Sequence, residues 1–465
     1  MGQNEVSLFF EGWQGKKIAV IGVGVSNSDV IRMLARKGLD VTLFDRKNQE
    51  QLGELAGEFS GLGVKFRLGE DYLNHLTDFD IILRAPGIYF HRPELAEARK
   101  AGCIVTSELE VFFQLCPCPV YAVTGSDGKT TTTTLISEML KAEGKTVHLG
   151  GNIGKALLPI IEQVQPSDRV VAELSSFQLL SMRFAPHTSV VTNVAPNHLD
   201  VHGTMEEYIE AKKNIFLHQN AFSRTVFNAD NDITRSFAPL VRGNLWHFSR
   251  KEIPPFGVYA DQNGDIFVKD RRGTVFIMNQ KEIRIPGLHN VENYLAAISA
   301  VWGEVSPEVI RKVAHEFGGV EHRIEFVREL DGVKWYNDSI ASSPSRTIAG
   351  LKSFSQKIIL LAGGYDKKIP FEPMVPYVLD KVKALILMGL TAPKIEAAVR
   401  AGEGFDGCNL SIYHAENLED AVHIAREISA AGDIVSLSPA CASFDSFPNF
   451  EVRGRKFKEL VQNLV

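Results

Sequence analysis

Apolar residues fall along the chain in short continuous runs that alternate with stretches of helical spacing, and this rhythm starts afresh twice. The first series runs over residues 17–107: KIAVIGVG, then the helical pattern SDVIRMLARKG, then DVTLFD, FDIILRAPGI and CIVTSELE. Strand and helix taking turns in this way predicts parallel strands with helical crossovers. After CPCP the series resumes with PVYAVTGSDGKTTTTTLISEMLKAEG, and RVVAEL, TSVVTNV and TVFN are further buried-strand candidates. From about 255 to 285 the pattern changes to GVYADQNGDIFVKDRRGTVFIM, whose NG and RG turns join alternating strands and predict a small antiparallel flap. HNVENYLAAISAVWG then reads as a helix. A third series follows EHRIEFV, with KIILLAGG, KALILMG and DIVSLSPA as strands and EDAVHIAREISAAG as a helix between the last two.

Length agrees with this division, since 465 residues at roughly 150 per domain suggest about three. Hydrophobic residues make up 45% and charged residues 23%, ordinary for a globular enzyme. No run of apolar residues is long enough to read as a membrane span. The formal charge of -6 supplies no global positive field, so nucleic acid is not an expected partner. MGQNEVSLFF lacks the basic segment and apolar core of a secretory signal, and Val6 breaks the myristoylation pattern, so the expected location is the cytoplasm. Cys103, Cys116, Cys118, Cys408 and Cys441 are scattered, and the CPC spacing is too tight for a CxxC pair; reduced, inert thiols are expected.

Two glycine-rich loops bear on chemistry. GVGVSN sits between a strand and a helix, with Asp45 ending the next strand where dinucleotide folds place a ribose-binding acid, but Asn27 stands at the third glycine. On these residues alone, NAD, another nucleotide-bearing ligand and tight packing all remain open. VTGSDGKTT is stronger, because an apolar strand runs in from Pro119 and a helix runs out from Thr130. Gly125 and Gly128 let backbone N–H groups point into such a loop, Lys129 can reach terminal phosphates and Thr130 can hold Mg²⁺. Val123 stands where the usual phosphate loop has its first glycine, which costs little if the chain there is still strand. Glu173 ends the buried run RVVAEL about forty residues later and can lie beside the loop. His198, Asp200 and His202 follow another buried run, with Lys212 on a helix; no HExxH or cysteine set supports zinc, and His202 reads as a surface loop residue.

Taken together, TGSDGKTT, AELSSFQL, NHLDVHG with YIEAK downstream, GLHNVENYLAA and EHRIE occur in an order that resembles the Mur ligases over essentially the whole chain. Within that family the first domain, GGYDKK and LSPACASFDSFPNFEVRG look most like the branch that adds D-glutamate to UDP-N-acetylmuramoyl-L-alanine. The resemblance implies an α/β fold of three domains: a Rossmann-like UDP-binding domain over 1–107, a central P-loop ATPase domain with a parallel sheet and antiparallel flap over 108–318, and a Rossmann-like C-terminal domain over 319–465. It implies that ATP phosphorylates the substrate carboxylate and that the amine then displaces phosphate, in peptidoglycan precursor synthesis.

The same resemblance assigns residues. Gly125, Ser126, Asp127, Gly128, Lys129, Thr130 and Thr131 would cradle ATP, with Asn293 at adenine, Arg323 at phosphate and Asp338 at ribose. Two Mg²⁺ ions are implied, one served by Thr130 and Glu173 and the other by His198 and Lys212, the latter matching a lysine that CO₂ converts to a carbamate. Lys129, His198 and carbamylated Lys212 are the implied catalytic groups. Val25, Ser26 and Asp45 match uridine-side contacts, with Arg46 next to them in the expected UDP-substrate site, Pro86 and Gly87 lie near the diphosphate, and Asn152 and Ser175 match the middle of the substrate, so no nicotinamide is expected. Ser342, Lys367, Ser443 and Phe450 match positions that hold D-glutamate. The implied partners are these small molecules, with the chain working as a monomer. Three departures from the family pattern stand out: Asp127 in place of Asn, NDSIASS in place of NDSKATN, and RAPGI in place of SPGI, which deletes a serine and leaves Arg84 nearby.

Overall fold

The computed structural model describes residues 3–196 and 199–465, without the side chains of 3, 4, 25, 26, 199 and 200. His198 therefore lies outside the described residues, as do the side chains of Val25, Ser26 and Asp200. The chain divides into two compact units, one of residues 1–282 and 292–313 and one of residues 283–291 and 314–465.

The larger unit carries two sheets. Strands β1 (Lys17–Ile21), β2 (Asp40–Asp45), β3 (Lys65–Leu68), β4 (Ile81–Arg84) and β5 (Ile104–Thr106) form a parallel sheet in the order β3-β2-β1-β4-β5. The order reverses beside β1, so the loops after β1 and β4 open into one crevice at the carboxyl ends of the strands. CIVTSELE is strand only to Thr106, because the Ser107 side chain accepts from Glu110 N and caps a helix over Glu108–Leu115.

The second sheet contains β6 (Val120–Thr124), β7 (Val147–Gly151), β8 (Arg169–Glu173), β9 (Thr188–Val191), β10 (Arg224–Asn228), β11 (Asn244–Ser249), β12 (Gly257–Ala260), β13 (Asp265–Asp270) and β14 (Gly273–Asn279). Its order is β14-β13-β12-β11-β10-β9-β6-β8-β7. The antiparallel flap is thus no separate sheet: β12 pairs parallel with β11 and antiparallel with β13, so the hairpins extend the edge of the parallel sheet. One continuous apolar cluster joins Val6 and Phe10 of the first helix, Val20 and Leu83 of the first sheet, and Ala122 and Val170 of the second.

The smaller unit holds β15 (Glu325–Leu330), β16 (Val333–Asn337), β17 (Ile358–Gly363), β18 (Val382–Met388), β19 (Ser411–His414) and β20 (Ile434–Leu437). Their order is β15-β16-β20-β17-β18-β19, parallel throughout except for the β15–β16 pair. The loops after β16, β17 and β20 therefore emerge side by side at one end of the sheet. All three sheets are α/β in kind, as the alternating runs predict. Among the described residues, no helix is long and apolar enough to cross a membrane.

Candidate active site

The loop Gly125–Gly128 joins β6 to the helix Lys129–Ala142. Gly125 has φ of +152°, and a Cβ there would sit 1.8 Å from Thr192 Oγ1; Gly128 has φ of +76°, and a Cβ there would sit 2.3 Å from Asn293 Oδ1. Both positions need glycine for conformation and for space. The loop is gripped from outside: Asn193 Oδ1 accepts from Asp127 N at 2.9 Å, Thr192 Oγ1 donates to Asp127 O at 2.6 Å, and Ser126 Oγ lies 3.0 Å from Tyr208 Oη. Lys129 Nζ donates to the carbonyls of Gly125 and Ser126, both at 3.0 Å, which holds an ammonium over the helix N-terminus. Thr130 and Thr131 open that helix, and Thr132 Oγ1 donates to Asn293 Oδ1 at 3.2 Å. Asn293 therefore packs on the phosphate-type loop itself.

β8 lies beside β6 with Glu173 opposite Val123, which carries the Glu173 side chain to the loop. Its carboxylate is buried, with 2% of the residue exposed. Oε1 accepts from Asn152 Nδ2 at 2.7 Å, whereas Oε2 is buried with no hydrogen-bond partner among the described residues. Such an oxygen is costly unless a cation faces it. Among the described residues no three His, Cys, Asp or Glu gather into a cage. One carboxylate with a threonine hydroxyl suits Mg²⁺, which keeps most of its waters and binds few protein ligands, so the residues present fit that ion.

Of the two lysines in EAKK, Lys212 turns inward and Lys213 outward, where it pairs with Glu210. Lys212 is 1% exposed; its Nζ donates to Gly125 O at 2.8 Å and lies 4.5 Å from the centre of the Tyr208 ring. Burial first, and then the nearby Lys129, pull its pKa from 10.5 down to about 7, against the opposing pull of Asp127 and Glu173. A fraction of this amine is thus neutral and nucleophilic at neutral pH. His202 is buried rather than at the surface: it stacks on Phe177 with ring centres 5.0 Å apart, and its Nε2 lies 2.9 Å from Ser176 Oγ. The reading as a surface loop residue fails because its partners lie on other elements. Ser175 caps the short helix Ser176–Leu179, its hydroxyl shared with Gln178.

In the first sheet, Asp45 Oδ2 accepts from Val23 N at 2.7 Å and Oδ1 from Lys47 N at 2.8 Å, so the carboxylate shapes the glycine loop. Asn27 answers the question raised by the absent third glycine. Its Nδ2 donates to the carbonyls of Ile21 and Gly22, both at 3.0 Å, and ties the loop from beneath. Arg46 and Gly87 are exposed, with Pro86 half-buried beside Gly87.

In the smaller unit, Lys367 follows β17, Ser342 follows β16, and Ser443 and Phe450 follow β20. Lys367 Nζ donates to Ser342 Oγ at 3.3 Å, so two of the four residues expected to hold D-glutamate already meet. Ser443 is buried, and Phe450 O accepts from Ser339 Oγ at 2.8 Å. Arg453, 2% exposed, fastens these loops together, donating to Ser339 Oγ and O and to the carbonyls of Cys441 and Ala442 over 2.8–3.2 Å.

The profile of the Mur ligase middle domain matches residues 123–301, that of the Mur ligase glutamate ligase domain residues 322–441, and that of the MurD-like N-terminal domain residues 16–107. The UDP-N-acetylmuramoylalanine--D-glutamate ligase of Acetivibrio thermocellus is 52% identical over 456 residues, 97% of each chain. The chain belongs to the Mur ligase family. The proteins of the same name from Clostridium acetobutylicum and Clostridium novyi are 51% and 49% identical to this Mur ligase, again over 97% of each chain. Its fold is that of the solved UDP-N-acetylmuramate-alanine ligase MurC of Thermotoga maritima, with a TM-score of 0.55 at 19% identity over 96% of this chain and 99% of that one. A UDP-N-acetylmuramoyl-L-alanyl-D-glutamate--2,6-diaminopimelate ligase gives 0.56 at 19% identity over 83% and 93%.

Of the departures from the Mur ligase pattern, Asp127 is accommodated locally: it is exposed, and the loop is held through its backbone N–H and carbonyl rather than its carboxylate. Ile340 is half-buried, and nothing in the structure explains the isoleucine there.

Asp338, 4% exposed, accepts from Ser438 Oγ at 2.7 Å and from Ile324 N at 3.3 Å; burial raises its pKa from 3.8 to about 7. Its contribution to stability is whole below about pH 4. The unfolded chain then gives up its proton first, stability falls as pH rises, and the loss is complete above about pH 7. In Asp338→Asn the amide oxygen can accept from Ile324 N and the NH₂ can donate to Ser438 Oγ, so that component should vanish. Urea-unfolding midpoints from pH 4 to 8 should fall less steeply in the variant than in the parent; equal slopes would contradict the assignment.

Proposed function

We propose that this Mur ligase joins the amino group of D-glutamate to the alanyl carboxyl of UDP-N-acetylmuramoyl-L-alanine, consuming ATP and releasing ADP and phosphate. The reading is carried by the 52% identity over 97% of both chains to a ligase that bears this name. The geometry of the larger unit supports the ATP half of the reaction. A carboxylate resists attack by an amine until its oxygen becomes a phosphate leaving group, and bringing it to a polyphosphate sets like charges together. The loop Gly125–Gly128 and the helix N-terminus at Lys129 offer backbone donors to phosphate, and Lys129 supplies a cation at the loop. Glu173 and Thr130 would hold Mg²⁺, which when bound supplies further positive charge against that repulsion.

Lys212 has the chemistry of a carbamate-forming lysine. Its buried amine, with a pKa near 7, can add to CO₂ with loss of one proton, leaving an anion beside Lys129. In the smaller unit, Lys367 and Ser342 offer a cation and a hydroxyl that suit the carboxylates of D-glutamate. The assay is phosphate release from ATP with UDP-N-acetylmuramoyl-L-alanine and, separately, D-glutamate, L-glutamate, L-lysine or glycine. Turnover is expected with D-glutamate alone. Turnover with L-lysine and none with D-glutamate would overturn the assignment.

A further inference from the structure

Arg84 stands immediately before the APGI segment, next to the position where the family pattern has its serine. It is the last residue of β4, 1% exposed, and its guanidinium lies beneath the loop that follows. Nη1 donates to Ile88 O at 2.7 Å and approaches the carbonyls of Ala85 and Pro86 at 3.4 Å. Nη2 reaches the second sheet's territory, donating to Phe177 O and Ser181 Oγ, both at 3.0 Å. The loop is anchored again at Tyr89, whose hydroxyl bonds Glu207 on the helix that carries Lys212. Burial lowers the guanidinium pKa to about 10, so it stays charged at neutral pH.

This arrangement fixes which face the loop shows to the crevice. In a trans peptide the C=O and N–H point to opposite sides. With the Pro86 carbonyl on the Arg84 side, the Gly87 N–H is turned away from it; Gly87 is exposed, and its N–H makes no hydrogen bond among the described residues. The neighbouring loop comes close enough that a Cβ on Gly22 would meet Ala85 Cβ at 3.0 Å, so Gly87 stands at the same strand ends as the Asp45-braced glycine loop.

We propose that Arg84 is a positioning residue for the diphosphate of the UDP-linked substrate: by gathering the carbonyls of 85, 86 and 88 it aims the Gly87 N–H at the anion, and by holding Phe177 and Ser181 it sets that donor at a fixed place relative to Ser175 and Glu173. The inference rests on the proposed substrate. Arginine suits the task because its planar fork serves two sets of acceptors at once, whereas lysine offers one nitrogen.

The test compares Arg84→Met and Arg84→Lys with the parent enzyme, using ligand-detected NMR titration of UDP and of uridine, together with steady-state kinetics. In Arg84→Met, UDP affinity should fall about tenfold, the scale of one charge-assisted hydrogen bond, and uridine affinity should hold. KM for UDP-N-acetylmuramoyl-L-alanine should rise by about the same factor, with kcat and the KM values of ATP and D-glutamate within about twofold. Arg84→Lys should fall between the two. Equal weakening of UDP and uridine, or a fall in kcat with KM unchanged, would overturn the inference, and so would unaltered UDP binding.

Should Arg84→Met not fold, Ser181→Ala carries the test. It removes one partner of Nη2, and UDP should then weaken by about twofold to threefold with uridine unchanged; no UDP-selective loss would overturn the proposal. UDP binding is read without ATP or acceptor. A parent enzyme that binds UDP but forms no amide would therefore sink the ligase reading and leave this inference standing.

Discussion

Lys212→Ala should reduce turnover by about a thousandfold, the scale of losing a preorganised charge at a reacting phosphoryl group, and small carboxylates such as formate or acetate should restore part of it. The expectation follows from where the side chain lies. Lys212 is buried against Gly125 O and the Tyr208 ring, 1% exposed, with its pKa pulled to about 7, so a plain ammonium is disfavoured there and a CO₂ adduct is chemically accessible. Alanine leaves a cavity beside the loop, which a carboxylate from solution can enter in place of the proposed carbamate. Steady-state rates with and without 0 to about 100 mM formate check this, that range being chosen for a weak site with millimolar affinity. Full activity in the variant, or a loss that no carboxylate relieves, would count against the carbamate.

Glu173→Gln should lower kcat by about a hundredfold to a thousandfold and raise the magnesium concentration needed for half-maximal rate at least about tenfold. Glutamine can still accept from Asn152 through its oxygen, so the strand end keeps its hydrogen bond. What changes is the second position: a carboxylate oxygen with no hydrogen-bond partner among the described residues becomes an NH₂ donor, which repels a cation. The unfolding midpoint should not fall, because burying an amide costs less than burying a carboxylate of which one oxygen has no partner among the described residues. A magnesium titration separates the two roles, and an unaltered magnesium dependence would show that Glu173 serves packing alone.

Legibility from sequence followed the range of the interactions involved. The loop at 125–130 could be read because strand, glycines, lysine and helix are contiguous, and Glu173 because it ends an apolar run that pairs with the neighbouring strand. His202 could not, since it is buried against Phe177, twenty-five positions upstream by the numbering, and Tyr208. Arg84 is marked in the sequence only as the neighbour of a departure; the atoms that give it meaning, at Phe177 and Ser181, are 93 and 97 positions away. Arg453 lay within a motif that pointed to the family, yet its grip on Ser339 spans 114 positions. Short mixed strands such as β7, VHLGG, and β11, NLWHFS, are not legible in the sequence, because neither alternation nor a pure apolar run marks them. The turns mark the flap as antiparallel but not as the edge of the main sheet, because the parallel pairing of His247 with Gly257 depends on the register of its neighbours.

Activation of a carboxyl group by phosphoryl transfer is the claim on which the functional account depends, and isotope transfer tests it most directly. The substrate is prepared with both oxygens of the alanyl carboxylate as ¹⁸O and turned over with unlabelled ATP, magnesium and D-glutamate. Attack by carboxylate on the terminal phosphorus, followed by amine displacement, predicts ADP as the nucleotide product, one ¹⁸O in each released phosphate and one retained in the amide. Unlabelled phosphate, or label recovered in AMP, would contradict the account.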